Sequence, residues 1–107
     1  MKVLLTTEEL LYFFETALDE IKGKQKIPIE IIKQFKNKVT VLMNILTLTD
    51  LYKFGGLNFE KLKGELKDYY SIRLNQQYRL IFKLVKTEND KIIVEIIHIT
   101  EISKHYE

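Results

Sequence analysis

The chain has 107 residues, 46% of them hydrophobic and 30% charged, with a net charge of +2. That is enough for one continuous core and too short for two, so a single domain over residues 1–107 is expected and wholesale disorder is excluded. With no cysteine and only two histidines, a disulfide framework, a thiolate metal site and a cysteine nucleophile are excluded, and a His-rich metal site is disfavoured. No apolar run approaches the roughly 20 residues of a membrane span, and the first apolar stretch stops at Thr6-Thr7-Glu8-Glu9, too short and too acidic for a signal peptide. The expectation is a small soluble cytoplasmic protein.

Lys2 to Leu5 is a short apolar segment suited to a first strand. Thr6 with Glu9 three residues on reads as a capping box and predicts a helix start. Leu10, Phe14, Ala17 and Ile21 then recur at helical spacing, and Gly23 is the natural stop. Pro28, the single proline, suits the first turn of a second helix. Ile32, Phe35, Val39, Leu42 and Leu46 form its apolar stripe, predicting an end near Leu46 to Leu48. Gly55-Gly56 opens a loop that runs to about Gly64.

The period then changes from 3.6 to 2. Tyr70, Ile72 and Leu74 alternate with Tyr69, Ser71 and Arg73; after Asn75-Gln76-Gln77, Tyr78, Leu80, Phe82 and Leu84 alternate with Arg79, Ile81, Lys83 and Val85. That is a hairpin. A three-residue loop pairs Leu74 with Tyr78 and keeps the whole apolar set on one face; a two-residue loop would split it. The same register sets Arg73 directly across from Arg79 on the opposite face. Facing like charges destabilise a strand pair, and an anion bound between them would remove the cost. Glu88-Asn89-Asp90-Lys91 is a second turn, and the nearly continuous β-branched run from Ile92 to Thr100 suits an inner strand. The predicted order is β-α-α-β-β-β, an α+β fold with two N-terminal helices on one face of a small, largely antiparallel sheet.

Charge is unevenly spread. Residues 1–21 are acidic, 22–38 are lysine-rich, 53–86 carry eight basic residues against three acidic ones, and 87–107 turn acidic again. A basic middle can form a patch for a polyanion, although lysines on exposed helices explain such a run equally simply, and charge alone favours that plainer reading.

Residues 62–83 carry a Leu62-Lys63-Gly64 step, a strand ending Ser71-Ile72-Arg73-Leu74-Asn75, a short turn and Tyr78-Arg79-Leu80-Ile81-Phe82. This pattern resembles the RelE/ParE toxin superfamily, and among its members the HigB-like toxins of type II toxin–antitoxin pairs. Phe13-Phe14-Glu15 in the first helix resembles the HigB-like arrangement as well. The resemblance implies the fold above, cleavage of messenger RNA in the ribosomal A site without metal or cofactor, and a cognate antitoxin that binds the toxin in a hetero-oligomer. Part of the superfamily instead inhibits DNA gyrase without catalysis, which is the alternative reading.

Cleavage by a 2′-hydroxyl needs that hydroxyl deprotonated, the phosphorane stabilised and the leaving 5′-oxygen protonated. Arg73 and Arg79 suit phosphorane stabilisation, since a guanidinium binds phosphate oxygens bidentately and stays charged. Lys63 matches the lysine of the family step. It is expected to steady the phosphate or help activate the hydroxyl. Lys61, Lys67 and Lys83 are candidates for RNA backbone contacts and Tyr69 for base stacking, though solvated lysines and a half-exposed strand aromatic would look the same. For acid–base work, HigB-like proteins often carry Asp-Tyr-His at the end of the last strand. This chain departs from that, with Ile97-His98-Ile99-Thr100 there and His105-Tyr106 at its end. His105 and Tyr106 resemble the terminal His-Tyr of other ribosome-dependent members and rank above His98. Glu101 is the carboxylate placed to orient His105.

Overall fold

The computed structural model describes residues 1–23, 25–53, 59–64, 69–89 and 92–104. The chain opens with strand β1, Lys2–Leu5. Thr7, rather than Thr6, starts helix α1, Glu8–Glu15. Its backbone is extended and its hydroxyl accepts from the Leu10 N–H at 3.1 Å, the N-cap arrangement. Glu8 and Glu9 fill the first turn, where the helix dipole favours negative charge.

α1 is shorter than the apolar pattern suggests. Leu10 and Phe13 are its buried residues, Phe14 is half-buried, and Ala17 is exposed beyond the helix end. The last turn has no basic residue of its own. Instead the Lys36 ammonium, from the second helix, donates to the carbonyls of Phe13 (3.0 Å), Phe14 (2.8 Å) and Thr16 (2.6 Å). This satisfies carbonyls that a helix end leaves orphaned. A 3₁₀ turn over Leu18–Glu20 follows, and Gly23 takes the expected left-handed conformation at φ +81°.

Helix α2 spans Ile29–Asn44. Pro28 sits at its N-cap, one step before the first turn, and its carbonyl accepts from the N–H groups of Ile31 (3.0 Å) and Ile32 (3.1 Å). Ile31, Ile32, Phe35, Val39 and Leu42 are buried. The helix stops before Leu46, which is left 86% exposed while Ile45 turns inward. A short helix α3, Leu48–Lys53, buries Leu51. A two-residue strand β2, Glu60–Lys61, lies in the stretch expected to be loop.

The predicted hairpin is present as β3, Tyr69–Arg73, and β4, Tyr78–Asn89, with Tyr70 opposite Phe82, Ile72 opposite Leu80 and Arg73 opposite Arg79. The Asn75 side chain accepts from the N–H groups of Gln77 and Tyr78, both at 2.8 Å, which closes the loop as an Asx turn. Strand β5, Ile92–Lys104, is an inner strand. The sheet order is β1-β5-β4-β3-β2, with β1 parallel to β5 and the other pairs antiparallel.

The fold is thus α+β, with helices packed against a small, largely antiparallel sheet. Ile72, Leu74, Leu80 and Phe82 face the helices and join Leu10, Phe13, Ile32, Phe35, Val39 and Leu42 in one core. That packing leaves the other face of the hairpin for Tyr69, Ser71, Arg73, Arg79, Ile81 and Lys83. No helix among the described residues is long and apolar enough to cross a membrane.

Candidate active site

Alternation along β3 and β4 puts three cross-strand rows on the face away from the helices: Tyr69 with Lys83, Ser71 with Ile81, and Arg73 with Arg79. The neighbouring strands lengthen these rows. Glu60 of β2 pairs with Ser71. On β5, His98 is paired with Lys83, Glu101 with Ile81 and Ser103 with Arg79. A bulge shifts the register between these pairs: Ile81 and Phe82 pair with Glu101 and Ile99, so Thr100 is the extra residue. The Thr100 hydroxyl donates to the Ile81 carbonyl at 3.0 Å.

The two arginines face each other as expected but are not alike. Arg73 is exposed, whereas Arg79 is only 6% exposed. Arg79 Nε donates to Ser71 Oγ at 2.8 Å, and its Nη2 lies 3.3 Å from Glu60 Oε2. Burial lowers the Arg79 pKa, the Glu60 charge raises it, and the Arg73 charge lowers it again. The expected pair of facing guanidiniums on the open face is therefore unequal: Arg73 is open and Arg79 is covered. The protein's own Glu60 supplies a compensating anion at the Arg79 end, and the guanidinium is built into the sheet.

Glu60 is the residue that sequence reasoning missed. A two-residue strand is too short to show a period, so nothing local marked Glu60 as part of the sheet. The available signal was a carboxylate three residues before Lys63 in a mostly basic stretch.

The remaining candidates divide. Lys63 is exposed beside Gly64, which has φ +70°. Lys83 Nζ lies 6.0 Å from the centre of the half-buried Tyr69 ring, a cation–π distance, so the ring already has a cation over it. Lys61 is exposed but pairs with Tyr70, which places it in a row of the helix-bearing face and away from the arginines. Glu101 is exposed. Lys67, His105 and Tyr106 lie outside the described residues. β5 is described as far as Lys104, which pairs with Tyr78 one step beyond the Arg79 row.

In fold, the chain is similar to a YoeB/ParE toxin from Agrobacterium tumefaciens (TM-score 0.56, 15% identity, covering 99% of this chain and 100% of that one). It is similar to the same degree to the YoeB-YefM complex from Staphylococcus aureus (TM-score 0.55, 22% identity, covering 99% and 98%). These likenesses concern the fold. The sequence carries the relationship further. A family model described as the RelE-like toxin of type II toxin–antitoxin system HigB matches residues 6–97. Toxin HigB-1 of Vibrio cholerae serotype O1 is 37% identical over 73 residues, which span 68% of this chain and 77% of that protein. The chain belongs to the HigB-like toxins, RelE-type toxins of type II toxin–antitoxin systems.

Proposed function

We propose that the whole chain acts as one toxin domain that cuts messenger RNA in the ribosomal A site by metal-independent attack of the RNA 2′-hydroxyl. The observation that carries this reading is the charged set on the open sheet face. It comprises a carboxylate, Glu60, held 3.3 Å from the buried Arg79 guanidinium, and a second guanidinium, Arg73, exposed in the same row as Arg79. Glu60 is 63% exposed at its side chain, so a substrate hydroxyl can reach it.

Each service then has a group suited to it. The Glu60 carboxylate takes the proton of the 2′-hydroxyl. The freed oxygen attacks phosphorus, and the charge that builds on the non-bridging oxygens is met by Arg73 from the solvent side and by the field of Arg79. Lys63 steadies the phosphate, and His105 or Tyr106 returns a proton to the departing 5′-oxygen. Lys67 and Lys83 contribute charge toward the RNA backbone, and Tyr69 offers a face to a base. No cofactor enters this scheme. The partners are the ribosome, its message, and a cognate antitoxin that neutralises the toxin as a hetero-oligomer in the cytoplasm. The solved YoeB–YefM complex of a protein with this fold supports a protein partner.

The test is primer extension on a translated and an untranslated copy of one message after expression without the antitoxin. The expected result is new 5′ ends on the translated copy alone. Equal cutting of both copies refutes ribosome dependence. Uncut message with arrested DNA replication refutes the endonuclease reading in favour of gyrase inhibition.

A further inference from the structure

Arg79 and Glu60 belong to strands β4 and β2, which lie on opposite sides of β3. Neighbouring strands are about 4.8 Å apart, so the Arg79 side chain must pass over the full width of β3 to reach the carboxylate. Ser71 occupies the crossing point. It pairs with Glu60 on one side and with Ile81, two residues along from Arg79, on the other. Its side chain is small enough to let the arginine pass, and its Oγ accepts from Arg79 Nε at 2.8 Å.

That bond has a geometric consequence. A guanidinium is planar, and engaging Nε on one edge fixes where the Nη groups point. Here Nη2 points at Glu60. The carboxylate itself stands on a strand of two residues at the sheet edge, so little else in its own element positions it. Ser71 is 0% exposed and cannot touch a substrate; whatever it does for the reaction it does through Arg79.

We propose that Ser71 is a positioning residue: its buried hydroxyl aims the Arg79 guanidinium across β3 and thereby sets the Glu60 carboxylate that receives the 2′-hydroxyl proton. This rests on the endonuclease reading above and adds to it the part that holds the base in place. Misplacement of a reacting group by about 1 Å can slow a reaction on the order of 100-fold. Ser71→Ala leaves the crossing point open and removes only the acceptor.

The experiment is single-turnover cleavage of ribosome-bound message by wild type, Ser71→Ala, Glu60→Gln and the double variant, with thermal melts of each. Ser71→Ala is expected to lower the maximal rate by roughly 10- to 100-fold with the half-saturating ribosome concentration unchanged. In the Glu60→Gln background the same change is expected to alter the rate by less than about twofold, because residues acting as one unit are not additive. Ser71→Cys keeps a heavy atom at the γ position, slightly larger and a poorer acceptor, and is expected to cut at an intermediate rate. It decides the matter if Ser71→Ala does not fold. A wild-type rate in Ser71→Cys and Ser71→Ala overturns the inference, as does an equal fold-loss in both Glu60 backgrounds or an effect confined to half-saturation. A wild-type protein that cuts no translated message overturns the endonuclease reading and this inference together.

Discussion

Alanine at each of the two facing arginines should separate substrate recognition from support of the sheet. Arg73 is exposed, so Arg73→Ala removes a surface charge beside a like charge, a change expected to stay within about 0.5 kcal/mol. Arg79 is different. Its bond to Ser71 is charge-assisted and buried, a class worth roughly 1.5–3 kcal/mol. Its pairing with the largely exposed Glu60 adds no more than about 1 kcal/mol. Against these stand the recovered desolvation of a buried guanidinium and the relief of repulsion from Arg73. A net loss near 2 kcal/mol is the expectation. At about 2.1 cal/mol/K of unfolding entropy per residue, that lowers the melting temperature by about 9 °C, against at most about 2 °C for Arg73→Ala. Both variants should be non-toxic: Arg73→Ala loses a donor to the developing phosphorane, which slows chemistry roughly 100- to 1,000-fold, and Arg79→Ala removes the cation that holds the Glu60 carboxylate. Melting by circular dichroism, read beside growth after induction and primer extension, checks both halves. A wild-type melt for Arg79→Ala would refute the structural role given to it, and full toxicity of Arg73→Ala would remove it from the phosphate contact.

Two further outcomes concern the frame that holds the site. Phe82 is fully buried and stacks near Phe59 (6.0 Å) and Tyr70 (6.1 Å), so Phe82→Ala should lose about 3–5 kcal/mol in urea unfolding; a loss below about 1 kcal/mol would mean that the ring does not anchor the hairpin to the helices. Lys36→Met keeps the apolar stem but leaves the carbonyls of Phe13, Phe14 and Thr16 without their cation, which should lower stability by about 1–3 kcal/mol and speed amide exchange in α1. Unchanged exchange in α1 would show that the helix ends without this contact.

Much of the fold is legible in the chain because it is written in local periods. The step-two alternation around Asn75-Gln76-Gln77 determined the hairpin, its three-residue loop and the Arg73–Arg79 row, since any other register would have split the apolar face. The stripe through Ile32, Phe35, Val39 and Leu42 likewise determined α2. Where signals competed, local reading slipped by a residue or a turn: Thr7 caps in place of Thr6, and α1 stops at Glu15 although apolar spacing continues to Ile21. The carbonyls at that helix end are met by Lys36, twenty or more positions away in the chain.

The site depended more heavily on such distant partners. Arginines at 73 and 79 facing one another follow from the sequence alone. Which one is open and which is buried does not, because that depends on β2 joining the far side of β3 and bringing Glu60 to Arg79. The bulge at Thr100, which shifts the β4–β5 register so that Glu101 pairs with Ile81, also has no local mark. The physical reason is the same in each case. A repeat of 2 or 3.6 residues reports how a segment meets a flat apolar layer, and one sequence carries it. A buried guanidinium with its partners or a bulge is settled by the balance of desolvation, charge and hydrogen bonding among strands far apart in the chain, and it exists only once the sheet has assembled.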